Sequence, residues 1–150
     1  MSKPFNVRIY GIVFNQEQEI LITDELIKGF KMTKFPGGGL EFGEGTIDCL
    51  TREFKEELEI DVKIKDHFYT TDFYQQSAFN KTEQILSIYY LVEFKEQPKV
   101  EFKLTKHAFD GEKDQILFRW KKLELLEPKD FSFPIDKHVL KLLKQQNDKY

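Results

Sequence analysis

The sequence contains a single cysteine, Cys49, so neither a disulfide framework nor a cysteine-rich zinc site can form within the chain. It also lacks any apolar run approaching the roughly 20 residues of a membrane span. The segment from Met1 to Phe14 has Arg8 inside its only apolar stretch and no small-residue cleavage site, so we expect no signal peptide. These absences favour a reducing compartment, and we expect a cytoplasmic protein without a membrane partner.

An excess of positive charge is missing as well. The 150 residues include 23 Lys and Arg against 26 Asp and Glu, for a formal net charge of −3. The chain therefore has no general attraction for nucleic acid, and we expect no specific nucleic-acid partner. No Gly-, Ser- or Pro-rich linker interrupts the sequence, which predicts a single domain over residues 1–150.

Fifteen Phe, six Tyr and one Trp supply ample material for a core. Apolar and β-branched runs predict five strands, at Val7–Phe14, Ile20–Thr23, Val62–Tyr74, Gln84–Phe94 and Ile116–Trp120. The first strand is interrupted by Arg8 and Gly11, and it can form a hairpin with the second. The nearly continuous apolar run of Gln84–Phe94 indicates a central strand in a sheet.

Two helices are predicted. The first covers Thr46 to Leu58, with Thr46 as N-cap. The second opens at Pro134 and has an apolar stripe of Ile135, Val139, Leu142 and Leu143. Strands and helices are mixed, so the fold class is α+β or a three-layer α/β/α arrangement.

The first helix carries an acidic cluster. On a helical wheel Glu53, Glu56 and Glu57 share an arc of about 100°, beside the apolar stripe that would dock on the core. A solvated acidic face is the usual explanation for such a pattern. Here, however, like charges three and four residues apart repel, and they lie in the C-terminal half of the helix, where the macrodipole disfavours anions. A divalent cation such as Mg²⁺ would relieve both effects.

A glycine-dense stretch precedes this helix, from Phe35 to Gly45, and holds five of the eight glycines. Gly37, Gly38 and Gly39 let the backbone approach a phosphate or a metal closely. A carbonyl of Gly37 or Gly38 can complete a coordination shell. Glycine clusters alone are commonly just turns. Together with the acidic helix, however, the stretch indicates a site for a metal and a phosphate.

These residues resemble the signature box of Nudix hydrolases. Gly38 is followed after five residues by Glu44, and after seven more by the run Arg52-Glu53-Phe54-Lys55-Glu56-Glu57-Leu58-Glu59-Ile60. Eight of nine constrained positions are met. Glu59 stands where the family has a glycine that ends the helix, and a non-glycine residue there costs roughly 1–2 kcal/mol if it must be left-handed. The positions expected to handle metal are intact.

The resemblance implies a Nudix-like α/β/α sandwich with a mixed β-sheet between helices. It also implies a hydrolase that breaks a pyrophosphate bond in a nucleoside diphosphate linked to another moiety, with Mg²⁺ or Mn²⁺ as cofactor. The implied metal ligands are Glu53, Glu56 and Glu57 with a carbonyl of Gly38, while Arg52 and Glu44 orient the carboxylates.

Four further points stay open at this stage. The general base is either a box glutamate or an acid of the later loop, where Glu112 is preferred over Asp110 and Asp114. The substrate would be a small nucleotide held at Phe35, Gly37, Gly38 and Gly39, and Phe35, Phe73, Tyr74 or Phe79 can stack on its base. The alternative function is a nucleotide-binding or regulatory module without turnover. A homodimer is possible, and no residue pattern fixes it.

Overall fold

The structure, a computed structural model, describes residues 4–147. Its elements, in chain order, are β1 (Phe5–Val13), β2 (Glu19–Ile27), β3 (Phe30–Lys34), β4 (Gly37–Gly39), α1 (Thr46–Leu58), β5 (Val62–Thr70), β6 (Gln84–Phe94), β7 (Gln115–Lys122) and α2 (Pro134–Asn147). The chain folds into two compact units, each built from two separate segments. The single domain expected from the sequence stays a prediction.

The first unit combines residues 4–13 with residues 37–100. Its four-stranded sheet has the order β4-β1-β6-β5. Strands β1 and β6 are parallel over nine residue pairs, while β4 and β5 join antiparallel. The sheet is therefore mixed, and the central position expected for Gln84–Phe94 is confirmed.

Helix α1 packs on this sheet through Cys49, Leu50, Phe54 and Leu58, which are all buried. Its bounds agree with the prediction, but Thr46 is not the N-cap. Gly45 holds that position, and its backbone N–H donates to Oδ2 of Asp48 at 3.2 Å. The Thr46 hydroxyl is instead 2.7 Å from the hydroxyl of Tyr90 on β6, which ties the start of the helix to the sheet.

The second unit contains residues 14–36 and 101–147. Its antiparallel sheet has the order β3-β2-β7. The hairpin expected between the first two strands is wrong: Phe14 and Ile20 form only an isolated bridge, and β2 pairs with β3 and β7. Strand β2 also runs further than predicted, because its charged residues Asp24 and Glu25 are buried within the sheet.

Helix α2 buries Ile135, Val139, Leu140 and Leu143, so the expected stripe holds except that Leu140 replaces Leu142 as a buried member. None of the helices within residues 4–147 is long and apolar enough to cross a membrane. In the described part of the chain, two α-helices together with one mixed and one antiparallel sheet confirm the α+β class.

Candidate active site on the acidic helix

The carboxylate of Glu53 lies directly against the backbone of Gly38. A Cβ atom at Gly38 would overlap the carboxyl group of Glu53, so only glycine fits at this point of β4. The Glu53 side chain is only 12% exposed. Strand and helix thus hold one acidic side chain in a fixed position beside the glycine backbone.

Arg52 ties the glycine stretch to the helix. Its Nε and Nη2 atoms donate to the two carboxylate oxygens of Glu44 at 3.0 and 2.7 Å, a bidentate pair. Nη2 also donates to the carbonyl oxygen of Gly39 at 3.1 Å. A single planar guanidinium therefore fixes the loop, the strand and the helix relative to one another.

The remaining nitrogen of Arg52 reaches the acidic cluster. Nη1 donates to Oε1 of Glu53 at 3.0 Å and to Oε2 of Glu56 at 3.3 Å. The Glu56 side chain is 58% exposed, and Glu57 is partly buried. Arg52 thus partly neutralises the repulsion that the helical spacing imposes on these glutamates.

This network shifts the acid–base properties of its members. The hydrogen bonds from Arg52, followed by that from the backbone N–H of Glu41, lower the pKa of Glu44 to about 2. The hydrogen bond to Glu44 raises the pKa of Arg52 above its usual value. Burial raises the pKa of the neighbouring Cys49 thiol to about 12, so this cysteine is a packing residue.

The ladder between β4 and β1 decides which glycine carbonyls face outward. Hydrogen-bonded and non-hydrogen-bonded pairs alternate along an antiparallel ladder. The N–H of Leu40 donates to the carbonyl of Val7. The backbone N–H and carbonyl of Gly38, two residues earlier, therefore also face β1. The carbonyls of Gly37 and Gly39 therefore point away from β1. Because Arg52 binds Gly39, this geometry favours Gly37 over the Gly38 named above as the carbonyl ligand.

A divalent cation fits the chemistry of this donor set. Carboxylate and carbonyl oxygens are the hard ligands that Mg²⁺ prefers. Within residues 4–147 no three acidic, imidazole or thiol groups converge on a single point, since Glu53 and Glu56 both turn toward Arg52. Glu56 is exposed, so a change of rotamer can redirect its carboxylate at little cost.

The two remaining site residues lie in the second unit. Glu112 is exposed in the loop before β7. Phe35 is fully buried and stacks on Phe131 with ring centroids 4.7 Å apart, the environment of a core residue. In the first unit, by contrast, Tyr74 and Phe79 are largely exposed.

Two residues outside the predicted set lie beside the glycine strand and at the end of the acidic helix. Arg8 on β1 lies opposite Gly39, and its sequence signal is a charge inside an otherwise apolar strand. Glu59 ends α1 in the left-handed conformation, with φ 53° and ψ 36°. The helix ending expected at this position is present, although glycine is replaced by glutamate.

Comparisons with known proteins agree with the family resemblance seen in the sequence. The family model described as NUDIX domain matches residues 4–143. A search among curated proteins finds no significant match. The fold is similar to that of the MutT protein from Methanosarcina mazei Go1, with a TM-score of 0.70, 16% identity, and 98% of each chain covered.

Two other solved structures share the fold. The E. coli ORF135 protein aligns with a TM-score of 0.68 and 17% identity, covering 96% of this chain and 91% of the other. An ADP-ribose pyrophosphatase from Streptococcus suis 89-1591 aligns with a TM-score of 0.58 and 15% identity, covering 90% and 88%. The family match spans nearly the whole chain and includes the glycine strand, Glu44 and the acidic helix, so this protein belongs to the NUDIX domain family and is a hydrolase.

Proposed function

We propose that this protein hydrolyses a pyrophosphate bond in a nucleoside diphosphate linked to another moiety, with Mg²⁺ or Mn²⁺ as cofactor. The observation that carries the proposal is the close packing of the Glu53 carboxylate against the backbone of Gly38. A carboxylate held at a side-chain-free strand suits the binding of a metal together with a phosphate, because both can reach the backbone there.

Glu53, Glu56 and Glu57 would hold the metal, with a carbonyl from Gly37. When bound, a divalent cation polarises phosphoryl oxygens and lowers the pKa of a water molecule. Phosphoryl transfer depends mainly on positioning and charge stabilisation. An acidic helix packed beside a glycine strand can provide both, by holding a metal ion close to the phosphate.

Arg52 and Glu44 are positioning residues in this proposal. Their bidentate pair fixes the glycine loop to α1, and the Nη1 bonds hold Glu53 and Glu56 on the same side of the helix. Removing Arg52 would leave the repulsion between the glutamates uncompensated. It would also remove the hydrogen bonds that hold the glycine loop to α1.

The proton acceptor is a glutamate of α1 or Glu112. Glu57 is partly buried on the helix that carries the other acids, which supports a role for it at the site. Glu112 belongs to an exposed loop, and a solvated charge accounts for that position equally well. A comparison of Glu57→Gln and Glu112→Gln by their pH–rate profiles separates these assignments.

The substrate is a small nucleotide. The ADP-ribose pyrophosphatase named above makes ADP-ribose one member of the panel to be tested. Among the aromatic residues proposed to stack on the base, the exposed Tyr74 and Phe79 are better placed than the buried Phe35.

The test is a product-resolved hydrolysis screen of ADP-ribose, dinucleoside polyphosphates, nucleotide sugars, NADH and nucleoside triphosphates, with Mg²⁺ or Mn²⁺. Glu57→Gln should lose roughly a hundredfold or more of the turnover. Glu59→Gln, which removes the same charge two residues along the chain, should retain it. Normal turnover in Glu57→Gln, or turnover that persists after metal chelation, would refute the proposal.

The alternative function is tested with the same compounds and metals, with thermal unfolding measured beside product release. A binding or regulatory module would show Mg²⁺-dependent stabilisation by a nucleotide, measured as a rise in Tm, but would release no product.

A further inference from the structure

Strand β4 is an edge strand of the first unit's sheet and consists of three glycines. Because it has no side chains, a ligand lying along it can be contacted by groups from both faces of the sheet. Directly opposed residues of an antiparallel pair share one face, and successive residues alternate. Gly38 and Ile9 therefore share the face of Glu53, whereas Gly39 and Arg8 share the opposite face.

Arg8 lies close to the backbone of β4 on that opposite face. A Cβ atom at Gly39 would be 3.3 Å from Nη1 of Arg8, so the missing side chain leaves room for the guanidinium. Gly39 is thus contacted by two arginines, since its carbonyl oxygen accepts from Arg52. Arg8 and the carboxylate of Glu53 therefore lie on opposite faces of β4.

The guanidinium of Arg8 is held in place by Tyr10. Nε donates to the Tyr10 hydroxyl at 3.1 Å, and the guanidinium carbon lies 5.8 Å from the centroid of the same ring. Tyr10 is itself buried and packs on Tyr89, with ring centroids 5.3 Å apart. An arginine ordered in this way loses little further side-chain entropy when it binds an anion.

We propose that Arg8 binds a phosphoryl group of the substrate on the face of β4 opposite Glu53. The inference rests on the proposed function and adds to it a second cationic contact, outside the signature box. Arginine suits this task because its planar fork of N–H donors matches the oxygens of a phosphate. A pyrophosphate lying across the glycine edge would meet the acidic, metal-binding side at one end and Arg8 at the other.

The test uses the full chain and three variants. Arg8→Met removes the charge but keeps an unbranched side chain over Tyr10, and Arg8→Lys keeps the charge without the fork. Lys63→Ala removes the same charge from an exposed position on β5, the opposite edge strand of the sheet, and serves as the matched control. KM and kcat are measured for the best substrate of the screen, and the Kd of inorganic pyrophosphate is measured by calorimetry with Mg²⁺ present.

Arg8→Met should raise both KM and the pyrophosphate Kd by roughly ten- to a hundredfold, with kcat within about threefold of the wild type. Arg8→Lys should recover part of this loss, and Lys63→Ala should leave both constants unchanged. A purely structural Arg8 would instead lower Tm without moving KM or Kd, and that result would overturn the inference. So would an equal rise in KM in the Lys63 variant, because the effect would then be one of net charge.

Failure of the proposed function gives a different pattern. A wild-type protein without turnover on any substrate would refute that function, while the pyrophosphate Kd still decides the role of Arg8. If Arg8→Met then binds pyrophosphate as tightly as the wild type, the inference fails as well. If it binds at least about tenfold more weakly and Lys63→Ala does not, Arg8 is an anion-binding residue.

Discussion

Glu53 occupies the space that a side chain at position 38 would need, so the acidic helix and the glycine strand fit together only because residue 38 is glycine. This contact joins two parts of the sequence that the family pattern merely places at a fixed spacing. It explains physically why a glycine and a glutamate 15 positions apart belong to one motif.

Gly38→Ala should therefore displace the Glu53 carboxylate. We expect turnover to fall on the order of a hundredfold, because a misplacement of about 1 Å has that effect on a positioned group. The free energy of unfolding should fall by about 1–3 kcal/mol, the usual cost of overpacking. The matched control is Gly45→Ala in the same glycine-dense stretch, where φ is −81° and a Cβ would come no closer than 3.3 Å, to Oδ2 of Asp48. Equal kcat values for the two variants would contradict this explanation.

Glu44 predicts the response of the fold to acid. Its pKa in the folded state is about 2, because Arg52 and then the Glu41 backbone bind its charged form, whereas an unfolded chain has a value of about 4.5. The unfolded state therefore takes up the proton first, and the contribution to stability, full above about pH 4.5, is lost as the pH falls toward 2. Glu44→Gln should show a shallower decrease in the free energy of unfolding over this range. Parallel curves for the two proteins would exclude the effect.

The helix end at Glu59 predicts a stabilising substitution. A residue with a Cβ atom is strained at φ 53°, and glycine is not. Glu59→Gly should raise the free energy of unfolding by about 1 kcal/mol and Tm by about 2–4 °C. Glu59→Ala keeps the Cβ and should gain much less. If both variants gain equally, loss of the negative charge near the helix C-terminus is the cause.

In the second unit, Asp24 predicts a large loss of stability on neutralisation. It is fully buried and accepts hydrogen bonds from Nε of Arg119 at 2.6 Å and from the Thr33 hydroxyl at 2.7 Å. Asp24→Asn leaves Arg119 buried without its counter-charge, so we expect about 3 kcal/mol of destabilisation in chemical denaturation.

The double variant Asp24→Asn/Arg119→Met should recover part of that loss, since no buried charge remains. Asp110→Asn, at an exposed position of the same unit, should change the stability by less than about 0.5 kcal/mol. A double variant no more stable than Asp24→Asn alone would show that the ion pair is not the source of the loss.

Sequence patterns predicted some elements well and missed others for identifiable reasons. Helix α1 and strand β6 have the predicted bounds, because an amphipathic stripe and an apolar run are local signals. Strand β4 was missed because three glycines have no side chains and therefore no hydrophobic pattern. The hairpin was wrong because β1 pairs with β6, a partner about 80 positions away that no local pattern reveals.

For the candidate site, the sequence predicts which residues share one face of the helix but not the contacts between segments. Spacing brought Glu53, Glu56 and Glu57 together, but it did not reveal that Arg52 joins two of them to Glu44. The choice between the carbonyls of Gly37 and Gly38 depended on the register of β4 with β1, which spacing does not contain. Arg8 gave only the weak signal of a charge within an apolar strand, since its place beside Gly39 comes from the same register.

The division of each unit between two distant segments has a consequence for synthesis. Strand β2 begins at Glu19, and its partner β7 ends at Lys122, about a hundred residues later. At about 5–20 residues per second, a ribosome takes roughly 5–20 s to produce the intervening chain. Strand β2 lacks β7 throughout that time, and β1 lacks β6 until residue 94 has been made, so the apolar edges of both strands are open to other chains. Chaperone binding to nascent chains that stop before β7 should therefore exceed binding to the completed protein.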